Sequence, residues 1–228
     1  MKRDRRMRSA RGLLFVLVPV VALFVIFSLI RDDGDDASAS AKQNGCTKVT
    51  SSKPPKKDTQ QKAPEQTIDA TKTYTAAIDT SCGVITVGLD AKTAPIATNN
   101  FVSLSRSGFY DGLPFHRVVK DFVIQGGDPK GDGSGGPGYS VVGEVPTDNY
   151  PVGSIAAAKS SAAPAGDFSS QFFIVTGSQG ATLPNDYARF GTVTKGLAVA
   201  KKIESFASTT TEEPSQTVLI DKITITES

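Results

Sequence analysis

The chain has 228 residues, an ordinary globular composition without tryptophan, and a formal net charge of +2. That total hides a split: residues 1–72 carry 14 Lys and Arg against 8 Asp and Glu, while residues 73–228 carry 11 against 15. A mildly acidic domain behind a basic tail excludes the nucleic-acid binders, which present a basic face.

The chain opens on a basic segment, residues 1–12, holding Lys2, Arg3, Arg5, Arg6, Arg8 and Arg11. The uncharged run "LLFVLVPVVALFVIFSLI", Leu13 to Ile30, follows. It has the length of a spanning helix and exceeds the roughly 7–15 residues of a signal-peptide core. Pro19 inside it is tolerated in lipid, where it only kinks the helix. Because the basic excess precedes the run, the tail is expected in the cytoplasm and the rest outside. The reading is a single-pass anchor in the cell membrane. Small residues at 37–41, "ASASA", keep open a cleaved signal and a secreted protein. On either reading the bulk of the chain is extracytoplasmic.

Residues 31–72 ("SSKPPKKDTQQKAPEQT" among them) are rich in Ser, Thr, Lys, Gln and Pro and lack apolar periodicity. They are expected to form a flexible, disordered linker reaching roughly 35 Å. The only two cysteines are Cys46 and Cys82. In an oxidising compartment a bridge between them would pin the linker's end to the domain. Spacing alone leaves the bridge and two separate thiols both open. A metal site is not expected, since two cysteines and one distant histidine lack the ligand clustering of structural zinc.

From Thr73 the pattern becomes that of a folded domain, residues 73–228. "YTAAIDT" and "GVITVGL" read as a hairpin around a Ser-Cys-Gly turn. "APIATNNFVSLSRSG" reads as a helix with Pro95 in its first turn, Ile96, Phe101 and Leu104 on its apolar face, and Gly108 as its stop. Short β runs follow at "FHRVV", "DFVIQGG", "GSIAAA", "QFFIVTG" and "RFGTV". A second helix at "GLAVAKKIESF", a polar loop "STTTEEPSQ" and a last strand "TVLIDKITIT" complete the chain. Many short strands with two helices indicate a mainly β domain, a closed barrel or a sandwich.

The densest stretch is "FHRVVKDFVIQGGDPKGDGSGGPG", Phe115 to Gly138. Gly131, Gly133 and Gly136 spell G-x-G-x-x-G, but no helical pattern follows, and Asp128 and Asp132 put negative charge where a phosphate would sit. A dinucleotide loop needs that helix, so the glycines read as a surface turn. His116, the only histidine, alternates with Arg117 and shares a face with Val118, which reads as a structural histidine rather than a base. Arg117 is expected on the face of Phe115, close to Phe122, Val123 and Gln125. An arginine among aromatics is fixed, and it presents five donors in a rigid fork.

"FHRVVKDFVIQGGDP", "SQFFIVTG", "RFGTV" and "APIATNNFVSLSRSGFYDG" together resemble the cyclophilin family of peptidyl-prolyl cis–trans isomerases, over about Tyr74 to Thr226. The resemblance implies a closed eight-stranded antiparallel β-barrel capped by two α-helices, with a proline-binding groove on its outer surface. It implies that Arg117 is the catalytic arginine and that Phe122, Val123, Phe173 and Leu183 form the proline pocket. Gln125 falls where the family holds the substrate backbone, and Ala158 and Lys159 fall where members bind the peptide main chain. Tyr187 stands where many members carry a histidine lining the groove. Thr182 stands where many carry a tryptophan linked to cyclosporin binding, which implies weak drug binding.

The implied chemistry needs no cofactor, metal or nucleophile. An X–Pro bond rotates over a resonance barrier of about 18–20 kcal/mol, with exchange taking tens to hundreds of seconds, roughly. Twisting returns a lone pair to the prolyl nitrogen, and a fixed guanidinium aimed there binds the twisted form best. The expected partners are Pro-containing polypeptides and, through the anchor, the membrane; a monomer is expected. A module that grips such segments as a holdase or scaffold with little turnover is the alternative, and retention of Arg117 favours the enzyme.

Overall fold

The computed structural model describes residues 42–43, 45–51 and 53–228. The basic segment 1–12 and the apolar run Leu13–Ile30 lie outside the described residues. Among the described residues no helix is long and apolar enough to cross a membrane.

Two short strands, β1 (Lys42–Gln43) and β2 (Cys46–Thr47), pair antiparallel ahead of the domain. The expected hairpin is present as β3 (Tyr74–Thr80) and β4 (Gly83–Leu89), turning at Ser81–Cys82. Tyr74, Ala76 and Ile78 are buried along β3, the alternation of a strand with one face on a core. The helix α1 (Pro95–Arg106) follows, with Pro95 in its first turn, where the missing N–H costs nothing. No side chain caps it from the preceding residue. Instead the Glu144 carboxylate accepts the N–H groups of Ile96 at 2.9 Å and Ala97 at 3.2 Å, setting negative charge at the positive end of the helix. Ala97, Phe101 and Leu104 are buried at spacings of four and three residues. Ile96, expected on that face, is 44% exposed, because it falls one position off the stripe.

Next come β5 (Leu113–Pro114), β6 (Arg117–Val119), β7 (Val123–Gly126), β8 (Val141–Val142), β9 (Ser154–Ala157), β10 (Asp167–Phe168) and β11 (Phe172–Val175). A 3-10 turn at Ser178–Thr182, β12 (Arg189–Lys195), α2 (Leu197–Glu204) and β13 (Leu219–Glu227) end the domain. The mainly β class and the two α-helices of the sequence reading are present.

The closed eight-stranded barrel is not. The main sheet has nine antiparallel strands in the order β5-β13-β3-β4-β12-β9-β11-β7-β6, and it remains an open half-barrel because β5 and β6 are not paired. These edges are consecutive in the chain, joined only by Phe115 and His116, and their backbone groups bond elsewhere. Phe115 N–H donates to Val218 O at 2.9 Å, and Val118 N–H donates to Glu212 O at 2.8 Å. The segment leading into β13 therefore satisfies an edge that closure would have satisfied.

The concave side holds the main core. Phe101, Phe115, Phe168, Phe172, Phe190 and Tyr110 are fully buried there. The rings meet edge to face at Phe101–Phe172 (5.5 Å) and stack at Phe168–Phe190 (5.2 Å), geometries that add to simple burial. Phe115 belongs to this core together with Val118, so it does not share a face with Arg117 as expected. Strand geometry lapses at Phe115–His116, and the alternation restarts one residue out of phase.

The flexible linker expected through residue 72 is also corrected over its second half, which lies along the domain. Lys57 Nζ donates to Gly108 O at 2.9 Å, and Gln61 N–H donates to Pro137 O at 2.8 Å. The buried Asn99 of α1 accepts from Thr67 N–H at 2.8 Å and donates to Glu65 O at 2.9 Å. Asp69 N–H reaches the Tyr74 hydroxyl at 2.9 Å. Gly138 has φ +103°, and a Cβ there would collide with the carbonyl of Thr59, so this crossing requires glycine. A polar, proline-containing strap gives no periodic signal because its partners are backbone groups and one asparagine, not an apolar face.

Ahead of the strap Cys46 forms a disulfide with Cys82, 36 residues away in sequence. Closing a loop of that length removes denatured-state entropy worth about 2–4 kcal/mol. Cys82→Ser, or reduction, is expected to lower unfolding stability by that amount. Urea melts with and without reductant check it, and coincident melts would refute it.

Candidate active site

The site is a row of side chains laid across neighbouring strands on the convex face. In the β6–β7 ladder Arg117 pairs with Gln125, and in the β7–β11 ladder Gln125 pairs with Phe173. Phe173 pairs in turn with Ala156 of β9. Residues in register share a face, so the row reads Arg117, Gln125, Phe173, Ala156. Two residues along, Val119, Val123 and Val175 form a second row in the same way. The intervening residues Val118, Ile124 and Ile174 point into the main core.

On the convex face Val123, Tyr150, Ala156, Phe173 and Val175 form a separate buried apolar cluster, with Phe122, Ala158, Leu183 and Tyr187 packed against it. The structure thus brings together every apolar residue named for the pocket from the sequence, together with Tyr187. The rings of Phe173 and Tyr187 meet at 5.5 Å and 84°. Tyr150 was missed. It is fully buried, donates from its hydroxyl to Tyr187 O at 2.8 Å and accepts Tyr187 N–H at 3.1 Å. It holds that tyrosine by its backbone, an arrangement with no local sequence signal.

Arg117 borders this cluster with its guanidinium carbon 5.7 Å from the centre of the Phe122 ring, within cation–π range. Its Nη1 donates to Gln125 Oε1 at 3.3 Å. Gln125 Nε2 donates to Gln171 Oε1 at 3.0 Å, and Gln171 Nε2 donates to the carbonyls of Gly133 at 2.9 Å and Gly135 at 3.1 Å. This amide relay ties the arginine to the glycine turn, and Gln171 in it was not foreseen. A groove of about 730 Å³ opens beside the relay, bordered by Gln125, Gln171, Ala158, Lys159, Tyr139 and the strap's Thr59.

Lys159 does not present its ammonium to the groove. Its side chain is 3% exposed, with Nζ 2.7 Å from Asp186 and 3.0 Å from Ala163 O, and it lies over the Tyr187 ring at 5.4 Å. A buried amine must be paired, and here the pairing pins the loop after β9 beside the pocket. Thr182 is exposed at the end of the 3-10 turn and donates from its hydroxyl to Gln179 O at 2.7 Å.

The glycine turn holds its own anion. The fully buried Asp128 accepts the backbone N–H of Lys130 at 2.8 Å and of Asp132 at 3.0 Å, which fills the nest a phosphate would need. His116 sits half-buried in the link between β5 and β6. Burial pushes its pKa below the ordinary histidine value, with the Asp128 charge acting the other way. Neither ring nitrogen has a hydrogen-bond partner among the described residues. No group of three or more His, Cys, Asp or Glu arranged to hold a metal occurs among the described residues.

A further group meets Arg117 from a distant loop. Glu212 accepts Nε at 2.6 Å and Nη2 at 3.0 Å, and those hydrogen bonds hold its carboxyl below the usual glutamate value.

A half-barrel with an apolar pocket and a fixed guanidinium on its outer face offers a site for an apolar group next to a hydrogen-bond acceptor. Residues 75–225 match the model of the cyclophilin type peptidyl-prolyl cis-trans isomerase family, and the chain belongs to that family. A peptidyl-prolyl cis-trans isomerase of Arabidopsis thaliana is 37% identical over 146 residues, 63% of this chain and 88% of the relative. One from Helicobacter pylori is 41% identical over 140 residues, 58% and 82% of the respective chains. Among solved structures, a Cryptosporidium parvum cyclophilin type isomerase is similar with TM-score 0.58 and 32% identity, covering 68% of this chain and 98% of its own. A second structure of that protein was obtained in the presence of the dipeptide Ala-Pro.

Proposed function

We propose that the protein accelerates cis–trans exchange at X–Pro bonds of exported or cell-envelope polypeptides, with Arg117 as the catalytic residue. The observation that carries this reading is the cross-strand row of Arg117, Gln125 and Phe173 at the rim of the convex apolar cluster. In it the proline ring occupies the pocket of Phe122, Val123, Phe173 and Leu183, and Gln125 holds the peptide backbone. Arg117 hydrogen-bonds the prolyl nitrogen as the amide twists, a preorganised donor matched to the transition state. Such a mechanism asks only for a fixed donor and an apolar pocket, and involves no proton transfer.

The location proposed is the outer side of the cell membrane, with Leu13–Ile30 as a single-pass anchor. The basic segment before that run and the Cys46–Cys82 bridge support it. Protease added to intact spheroplasts should digest the domain and spare residues 1–12, and intact mass reports whether the run is cleaved. The activity test is NMR exchange of a short Ala-Pro peptide with the full chain in detergent. Fast exchange supports the isomerase; peptide binding without faster exchange would make the protein a proline-recognition module. Cyclosporin should bind weakly because Thr182 supplies only a small polar surface, and tight binding by calorimetry would refute that expectation.

A further inference from the structure

The loop between α2 and β13 carries the polar sequence "STTTEEPSQ", residues 208–216, 95 positions beyond Arg117 at its point of contact. Two features set Glu212 apart from an incidental surface ion pair. Its carboxylate takes the side-on fork of the guanidinium, Nε at 2.6 Å and Nη2 at 3.0 Å, the geometry that fixes an arginine in plane and rotation. Its backbone carbonyl also accepts the N–H of Val118, the residue next to Arg117, at 2.8 Å. Main chain and side chain of one residue thus grip adjoining positions of the same edge strand.

The loop is organised to deliver this grip. Ser208 Oγ accepts from Thr210 N–H at 3.2 Å and Thr211 N–H at 3.1 Å, and Ser215 N–H donates to Phe206 O at 2.7 Å. Of the five guanidinium N–H groups, two go to Glu212 and one to Gln125. The remaining two, one on each terminal nitrogen, have no partner among the described residues. Glu212 side-chain exposure is 61% and that of Arg117 is 29%, and a pair so wetted contributes little to stability. What it supplies is orientation.

We propose that Glu212 is a positioning residue for the isomerisation, holding Arg117 so that its two unpaired N–H groups face the twisting prolyl nitrogen. This rests on Arg117 being the catalytic group. The carboxylate acts through the arginine and does not touch the peptide. The edge that fails to close the barrel thus acquires a use, since the loop lying along β6 brings the carboxylate to it.

The test compares Glu212→Ala and Glu212→Gln with the unaltered full chain, using exchange kinetics on an Ala-Pro peptide and the Arg117 Nε–H signal in nitrogen-15 spectra. Glu212→Ala is expected to lower kcat about ten-fold with KM nearly unchanged, since loss of alignment acts on the reacting geometry. Its Arg117 Nε–H should exchange fast with water. Glu212→Gln keeps one acceptor and should recover part of the rate and of the protection. A Glu212→Ala protein as fast as the unaltered chain, or faster, would overturn the proposal, provided Arg117→Ala is slow in the same assay. If Arg117→Ala is also fast, the catalytic assignment beneath it has failed instead.

Discussion

Replacing Arg117 by alanine is expected to slow catalysed exchange of an Ala-Pro peptide by at least about a hundred-fold, the usual cost of removing a preorganised transition-state donor. The expectation follows from what the pocket can do alone. On the proposed reading the apolar cluster around Phe173 would bind cis and trans proline rings alike, and equal binding of both planar forms leaves the barrier untouched. Only a donor that gains as the nitrogen lone pair appears lowers it, and that is the role proposed for Arg117, which lies beside Phe122 and Gln125. Arg117→Lys keeps the charge but not the fork that Glu212 and Gln125 grip together, and should not restore the rate. Folding should be unaffected, because the lost ion pair is half exposed. Circular dichroism and peptide exchange on the same samples make the comparison. An Arg117→Ala protein of undiminished activity would remove the arginine from the mechanism.

Phe172→Ala acts on the core face of β11, opposite Phe173, and carries the largest expected stability effect, about 3–5 kcal/mol. Phe172 is fully buried, with its ring set edge-on against Phe101, Tyr110 and Phe115 at 5.5, 5.5 and 6.4 Å. It therefore joins α1, the segment after it and the β5–β6 link in one contact. The cavity left there would be bordered by the rings of Phe101, Tyr110 and Phe115. Urea denaturation of the full chain measures the loss, and a shift below about 1 kcal/mol would show that the core repacks around the gap.

Much of this architecture is legible in the amino-acid sequence. The hairpin at residues 74–80 and 83–89 and the helix from Pro95 carry strong local patterns, and tertiary contacts reinforce them. The pocket members are named by family-like motifs; the strand register explains why residues as far apart as Arg117 and Phe173 both flank Gln125. The expected closure of the barrel fails, because the N–H groups of Phe115 and Val118 go to Val218 and Glu212 on the segment before β13, and no local pattern announces that. The expected face of Phe115 fails because strand geometry lapses at Phe115–His116 and shifts the alternation. The strap of residues 54–72 reads as coil, since its ordering comes from Asn99 and from backbone groups.

Composition, charge order and period-two or helical patterning, all carried within short windows, were enough by themselves to determine a mainly β domain behind a basic, apolar N-terminus. The tertiary structure alone decided that the sheet stays open, that Lys159 is spent on Asp186, that Gln171 and Tyr150 support the site, and that Glu212 holds Arg117. Each is a polar contact between residues distant in the chain. A polar side chain has the same local signature whether it faces water or a partner, so only the folded chain reveals which.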